Sequence, residues 1–322
     1  MSILVSVPVL TYNAASFVEE TLESVFNQTY SNLELIISDD CSKDNTIEIV
    51  KKWCEQDRVK ERFAHINIIT VPKNTGVSAN CNRCIKAASG DWIKFTAGDD
   101  ILLPDTIKDN VQFVADFPEA RIVFSQVKVY QDTFEEKNFV RTTPIDFPNN
   151  LMNAKFSAAD QNKILLVEDR IHYTPSYFFN KQALLHVGGY DEQNRLAEDY
   201  PMWLKLTASG ERLFYFHKPT AGYRMHSKAA NNVGQELLFK PSVLYAFKIR
   251  KRIAHPYLPW EMVASEYQVY YISILFQKCG WNKNRSVYKK LYHFGCFYLN
   301  PFYYLYAIKK RMPQTKDNLF YQ

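Results

Sequence analysis

Trp92-Ile93-Lys94-Phe95-Thr96-Ala97-Gly98-Asp99-Asp100-Ile101-Leu102-Leu103-Pro104 runs from an apolar, strand-like segment through small residues into two adjacent carboxylates, and then toward a helix start. Two acids at the exit of a strand can hold a divalent cation against a phosphate. Standing alone, an Asp-Asp pair more simply caps a helix, so the sequence before it has to decide. Ile3 to Val9 is a short β-rich run, and Ser16 with Glu19 has the spacing of a capping box before Val18, Leu22, Val25 and Phe26 at helical intervals. Leu33 to Ser38 predicts a second strand, followed by Asp39-Asp40-Cys41-Ser42-Lys43-Asp44 and a helix bearing Ile47, Val50 and Cys54. Ile66 to Val71 predicts a third strand. It leads through Asn74-Thr75-Gly76 into a helix with Val77, Cys81, Cys84, Ile85 and Ala88 on one side, which Gly90 is expected to end before a fourth strand, Trp92 to Phe95. This β-α alternation implies an α/β fold with a mostly parallel sheet and helices on both faces.

In an open α/β sheet, ligands sit where loops converge at the carboxyl ends of the strands. The loops after strands one, two and four, Leu10-Thr11-Tyr12-Asn13, Ser38-Asp39-Asp40-Cys41-Ser42 and Gly98-Asp99-Asp100, bring one aromatic ring, two carboxylate pairs and several backbone N–H groups to that edge. Such an inventory suits a nucleoside diphosphate with a metal. The competing reading of Tyr12 is an aromatic packed on the core.

These segments resemble glycosyltransferase family 2, the inverting enzymes with a GT-A fold. The motifs are Val7-Pro8-Val9-Leu10-Thr11-Tyr12-Asn13, Gln28-Thr29-Tyr30, Ile36 to Asp44, Asn74-Thr75-Gly76-Val77-Ser78 and Gly98-Asp99-Asp100. Downstream come Gly188-Gly189-Tyr190-Asp191-Glu192, Ala197-Glu198-Asp199-Tyr200-Pro201-Met202-Trp203-Leu204 and Tyr223-Arg224-Met225-His226, so the likeness covers residues 1–230. The resemblance implies that Tyr12 faces a uracil ring, that Asp40 hydrogen-bonds the base, and that Pro8 and Thr11 supply nearby contacts. It implies Asp99 on the ribose or sugar, Asp100 on Mn²⁺ or Mg²⁺ bridging the phosphates, and His226 as a further metal ligand or phosphate contact. Asp199 matches the catalytic base, with Glu198 beside it, and His172 falls where family members meet the acceptor. The chain departs from the pattern at Ala97, where many members carry a further acid, and at Cys81, where an Arg is common. Lys73, Arg83 and Arg224 are therefore the candidate partners for the diphosphate.

Composition bounds the rest. With 322 residues, 47% of them hydrophobic, the chain accommodates a catalytic domain over 1–234 (a nucleotide-binding half, 1–104, and an acceptor half, 105–234) and a C-terminal helical extension over 235–322. The net charge of +5 hides an asymmetry: residues 236–322 hold 14 Lys or Arg against 4 Asp or Glu, and 21 of the 48 aromatic residues. Leu291 to Ile308 is uncharged, but too short and polar for a bilayer crossing. Aromatic residues interleaved with Lys and Arg predict helices lying on an anionic membrane surface; the alternative is a helical subdomain packed on the catalytic domain or on a second subunit, as in a homodimer. No nucleic-acid module accompanies the charge. Cys81 and Cys84 fit one face of a helix as buried thiols better than half a zinc site, because no second pair has ligand spacing. Free cysteines and the lack of a cleavable export signal point to the cytoplasm, with peripheral attachment to the inner face of the inner membrane.

The expected function is transfer of one sugar from a UDP-hexose or UDP-N-acetylhexosamine to a glycan acceptor on a polyprenyl carrier, in bacterial O-antigen or capsule assembly. No Gln-x-x-Arg-Trp signature follows Asp199, which predicts a distributive single transfer. Two alternatives stand beside it. A sugar-phosphate nucleotidyltransferase would carry a Gly-rich basic loop after the first strand, and Leu10-Thr11-Tyr12-Asn13 is not one. A non-catalytic sugar-nucleotide-binding partner would show no turnover.

Overall fold

In the computed structural model, which describes residues 2–148, 151–194, 198–227, 237–312 and 316–321, the first apolar run becomes β1 (Val5–Thr11). Val5, Val7 and Val9 share one buried cluster with Leu22 and Val25 of α1 (Val18–Phe26) and with Val50 and Trp53 of α2 (Thr46–Cys54). β2 (Leu33–Asp39) is buried along its whole length and runs parallel to β1, as expected of an interior strand covered on both faces. After the short α3 (Asp57–Arg62), β3 (His65–Thr70) forms the edge, its side chains half-buried or exposed.

The chain then returns through α4 (Val77–Ala87) to the other side of β1, where β4 (Trp92–Ile93) and β5 (Thr96–Ala97) both pair with it in parallel. Because crossovers keep one hand, reversing the direction of travel puts α4 on the face opposite α1 and α2. The reversal between β1 and β4 opens the crevice in which α/β sheets bind ligands. The remaining elements are β6 (Ile101–Leu102), α5 (Thr106–Asp116), β7 (Ile122–Gln131), β8 (Phe139–Thr143), α6 (Ala158–Val167), β9 (Phe178–Asn180), α7 (Lys181–His186), α8 (Asp199–Ala208) and β10 (Leu213–Met225). The sheet order is β3-β2-β1-β4-β9-β7-β10-β6. Its ladders are parallel except where β9 meets β4 and β7, β6 meets β10 and β8 meets β7.

Several local expectations give way to tertiary structure. Trp92 to Phe95 is not one strand: the register on β1 runs unbroken from Val5↔Trp92 to Val9↔Thr96, yet pairing lapses at Lys94 and Phe95, opposite Pro8, which has no N–H to give. Pro8 accordingly lies buried inside the strand rather than in the loop after it. The N-cap of α1 is Phe17, with no side-chain cap, so the Ser16–Glu19 box does not form. Gly90 does not end α4, which stops at Ala87. It lies against β1, where a Cβ would come within 2.6 Å of the Leu4 carbonyl oxygen and 2.9 Å of Ser6 N.

The chain divides into two compact units. The first is Met1–Asn162 with Arg170–His226, and the second is Lys163–Asp169 with Ser227–Gln322. The expected boundary at 234 falls outside the described residues. The second unit is helical: α9 (Pro241–Ile253), α10 (Trp260–Lys278), α11 (Ser286–His293), a π-helical turn over Phe294–Tyr298, and α12 (Pro301–Lys310). α10 is its centre, packing against α9, α11 and α12. A buried acid and a half-buried one on α10 are met by basic side chains. Glu261 accepts from Lys309 Nζ (2.6 Å) and the Tyr321 hydroxyl (2.5 Å), and Glu266 accepts from Arg250 and pairs with His255. Among the described residues no helix is long and apolar enough to cross a membrane.

Candidate active site

All the expected site residues belong to the first unit. At the carboxyl end of β1, Tyr12 is 51% exposed, so its ring is not committed to the core. Behind it the loops after β1 and β2 are cross-bonded. Thr11 Oγ1 donates to Asp39 Oδ1 (2.9 Å), Asn13 N donates to Ser42 Oγ (2.8 Å) and Lys43 N donates to Asn13 Oδ1 (2.8 Å). Thr11 is therefore buried and spent on Asp39, while Tyr12 stands in front of it.

Asp40 is a buried hub. Its carboxylate accepts from Thr75 N (3.0 Å), Thr75 Oγ1 (2.6 Å), Gly76 N (2.7 Å) and Arg83 Nη2 (2.9 Å). Burial raises this carboxyl, but the bonds from Thr75, Arg83 and Gly76 outweigh that and hold it below the ordinary aspartate value. Gly76, at φ +92°, is the residue that can turn the chain into α4 with its N–H on Asp40. Arg83 also bonds Thr75 Oγ1 (2.7 Å) and Asn80 Oδ1 (3.0 Å), so the structure uses this guanidinium to stiffen the loop before α4. Lys73 is exposed and carries no ion pair among the described residues.

The acidic pair follows β5. Gly98 donates to Leu10 O (2.8 Å), and a Cβ there would lie 3.0 Å from Thr11 Cγ2 and 3.2 Å from Ala14 Cβ, so a small residue lets the acidic loop lie against the end of β1. The end of β10 then locks it. Arg224 N donates to Asp100 Oδ1 (2.9 Å), its Nε to Asp99 O (2.8 Å), its Nη1 to Asp132 O (2.6 Å) and its Nη2 to Glu20 Oε2 (2.5 Å), with Phe17 and Phe134 over the guanidinium. At 2% exposure Arg224 is a brace for the acids and does not present itself to a phosphate.

His226 Nε2 lies 3.1 Å from Asp99 Oδ2, with the ring against Phe17. Sequence thus brings Asp99, Asp100 and His226 to one place from segments more than 120 residues apart. Burial, and next the adjacent Asp99 carboxylate, push the Asp100 carboxyl well above the usual aspartate range, against the pull of Arg224 and Lys94. A buried acid so placed gains from a cation. Among the described residues no group of three His, Cys, Asp or Glu side chains is placed to hold a metal ion by itself.

Asp199 opens α8, as its spacing predicts, and with Glu198 lies half-buried near Cys81, Tyr177 and Tyr190, all of which feel their charge. Burial pushes the Glu198 carboxyl up. The turn before α8 is docked on α4: Asn82 accepts from Tyr190 N (2.8 Å) and donates to Tyr190 O and Glu192 Oε1 (both 2.9 Å). Gly189 (φ +69°) is required there, since a Cβ would come within 2.4 Å of Asn82 Oδ1. Cys81 and Cys84 are buried thiols, and burial drives Cys84 up to about 12. His172 is exposed, just before the Thr174–Ser176 turn.

The residue that sequence reasoning missed is Lys94. It is fully buried, and its Nζ donates to Pro175 O (2.7 Å) and Tyr177 O (3.1 Å), while its charge is felt by Asp100. It therefore tethers the segment carrying Tyr177, Asp199's neighbour, to the strand that leads into the acidic pair. A lysine inside an apolar run was the available signal.

The profile of glycosyl transferase family 2 matches residues 6–181, more than half of the chain. The chain belongs to this family. An uncharacterized glycosyltransferase of Haemophilus influenzae is 26% identical over 204 residues, 63% of this chain and 62% of that protein, so the match spans less than two thirds of that relative's length. The Escherichia coli UDP-Glc:alpha-D-GlcNAc-diphosphoundecaprenol beta-1,3-glucosyltransferase WfaP is 25% identical over 253 residues, 77% of this chain and 88% of WfaP. S. aureus TarS 1-349, solved in complex with UDP-GlcNAc, superposes with a TM-score of 0.58 at 17% identity, covering 99% of this chain and 90% of that one. The family 2 chain thus has the GT-A fold, with a helical C-terminal region.

Proposed function

We propose that this family 2 glycosyltransferase moves one sugar, with inversion, from a UDP-hexose or UDP-N-acetylhexosamine to a hydroxyl of a polyprenyl-diphosphate-linked glycan in bacterial surface polysaccharide assembly. The observation that carries this reading is the convergence of an exposed Tyr12, the Asp40 hub and the Asp99–Asp100–His226 group on the crevice beside β1. WfaP's diphosphoundecaprenol acceptor and the UDP-GlcNAc held by TarS support the substrate classes.

Tyr12 offers its face to the base. Asp40, kept ionised by four donors, orients the loop against which the base edge lies. Of Lys73, Arg83 and Arg224, Lys73 is the one exposed and without an ion pair among the described residues, and it meets the diphosphate. Asp100 and His226 would hold Mn²⁺ or Mg²⁺, with Asp99 turned to the ribose or sugar; Asp100 supplies the carboxylate oxygen such ions prefer, and the ion would neutralise charge on the leaving diphosphate. Asp199 takes the proton of the attacking acceptor hydroxyl, with Glu198, whose carboxyl burial pushes up, beside it. Acceptor contacts fall to His172 and the turn that follows.

The test is UDP release from UDP-glucose and UDP-GlcNAc with Mn²⁺ and synthetic GlcNAc-diphosphoundecaprenol, with the product anomer read by NMR. Asp199→Asn should lower turnover by about 10²-fold or more, the contribution of a positioned base, with UDP affinity retained. Undiminished turnover in that variant, or retention of configuration, overturns the proposal.

A further inference from the structure

The second unit carries an apolar surface that its own fold does not cover. Along α11 and the π-helical turn, Tyr292, Cys296 and Asn300 face α10: the Tyr292 hydroxyl lies 2.8 Å from Ser273 Oγ, Cys296 is buried, and Asn300 Nδ2 donates to Ser265 Oγ (3.0 Å). Gln268 of α10 adds bonds to Gly295 O and Leu299 O (2.9 and 3.0 Å). With that side secured, the opposite side shows Val287 (65% exposed), Leu291 (47%), Phe294 (50%) and Tyr298 (60%). Intervals of four, three and four residues place these on one helical face. Leu299, Tyr304, Ile308 and Met312 continue the exposed apolar surface through α12.

Charge says what covers it. Between Glu266 and Asp317 the sequence has no acidic residue at all, and it has nine Lys or Arg. Arg285, Lys289, Lys290 and Arg311 are exposed and carry no ion pair among the described residues. A second copy meeting this face across a two-fold axis would set the same cations against each other. A bilayer with anionic headgroups offers acyl chains to the apolar stripe and negative charge to its flanks, and Tyr side chains suit the headgroup depth between them.

We infer that the α11–α12 face of the second unit is a docking surface for anionic lipid, on which these helices lie parallel to the membrane plane. This stands apart from the glycosyl transfer proposed above, although it accords with a lipid-linked acceptor.

The experiment is flotation of the full chain with vesicles of phosphatidylcholine alone or with phosphatidylglycerol. Binding is expected only with phosphatidylglycerol, and it should weaken as salt rises. Neutralising Lys289 and Lys290 together (K289Q/K290Q) should lower the partition coefficient about 25-fold, each contributing about fivefold near an anionic surface. L291S/F294S should lower it by about tenfold or more. Both pairs are exposed, so the melting temperature and UDP affinity should hold, which separates loss of docking from misfolding. Equal binding to neutral and anionic vesicles, or unchanged binding by both double variants, overturns the inference. So does light scattering that shows a dimer dissociated by L291S/F294S in a chain that ignores vesicles. Loss of transferase activity alone leaves the vesicle result, and this inference, intact.

Discussion

Replacing Arg224 with lysine separates a brace from a phosphate ligand. The guanidinium makes three side-chain hydrogen bonds, to Asp99 O, Asp132 O and Glu20 Oε2, at 2% exposure. A lysine ammonium replaces one of them and cannot reproduce the fork. Glu20 is half exposed, so its pairing is discounted, and the loss falls on the two backbone carbonyls. At about 1.5 kcal/mol for each charged hydrogen bond, Arg224→Lys should cost on the order of 3 kcal/mol. For a unit of this size that lowers the melting temperature by about 6 to 12 °C. Thermal melting of the full chain, followed by calorimetry with and without UDP and Mn²⁺, gives both the stability and the affinity. Lys73→Ala is the control: exposed and without an internal partner, it should leave melting unchanged and weaken UDP binding about threefold to tenfold, more at low salt. A variant Arg224→Lys that melts within a degree of the parent while its UDP affinity collapses would refute the bracing role.

Tyr12→Ala should weaken UDP binding by about tenfold or more, since stacking on a base contributes about 1–3 kcal/mol, with melting unchanged because the ring is already half exposed; titration calorimetry reads the affinity and a thermal scan the melting, and full retention of affinity would remove Tyr12 from the base site. Lys94 predicts a pH signature. Burial pushes its ammonium down to about 7, against the pull of Asp100, whereas the unfolded chain titrates near about 10.4. Between those values the unfolded chain binds more protons, so wild-type stability should rise with pH by up to about 1.4 kcal/mol per unit relative to Lys94→Met, and be level below 7. A stability difference between the two proteins that does not change from pH 7 to 9 would contradict this. Ser89→Ala removes one of three donors to buried Glu34 (2.8 Å) and should destabilise by about 1 kcal/mol without touching UDP affinity.

How much of this was legible depended on whether the signal was local. β1 and β2 read directly because strands buried on both faces are rich in Val, Leu and Ile, and the start of α8 at Asp199 read from the apolar spacing behind it. The interruption opposite Pro8 was readable only with the register known, because nothing in Trp92 to Phe95 itself says which neighbour withholds a donor. Arg83 and Arg224 looked equivalent to Lys73 as cations. Their commitments to Asp40 and to the acidic loop are made by residues far away in sequence, and only the fold distinguishes a braced guanidinium from an exposed ammonium. Ser16 and Glu19 had the letters of a capping box, but helix entry was decided by Phe17, whose ring the structure places against His226 and Arg224.

The bond from Arg224 N to Asp100 Oδ1 spans 124 residues, and that separation orders events on the ribosome. β1 through β5 and the loops after β1 and β2 emerge first, with the acid pair already present but unbraced. Only when β10 is released can its last residues close over Asp99 and Asp100, because the ladder that positions Arg224 is the parallel pairing with β7 and parallel pairing waits for its crossover. A nascent chain stopped short of Arg224 would therefore carry Asp99 and Asp100 without the residue that braces them, so the acidic loop is locked only when the first unit is almost complete.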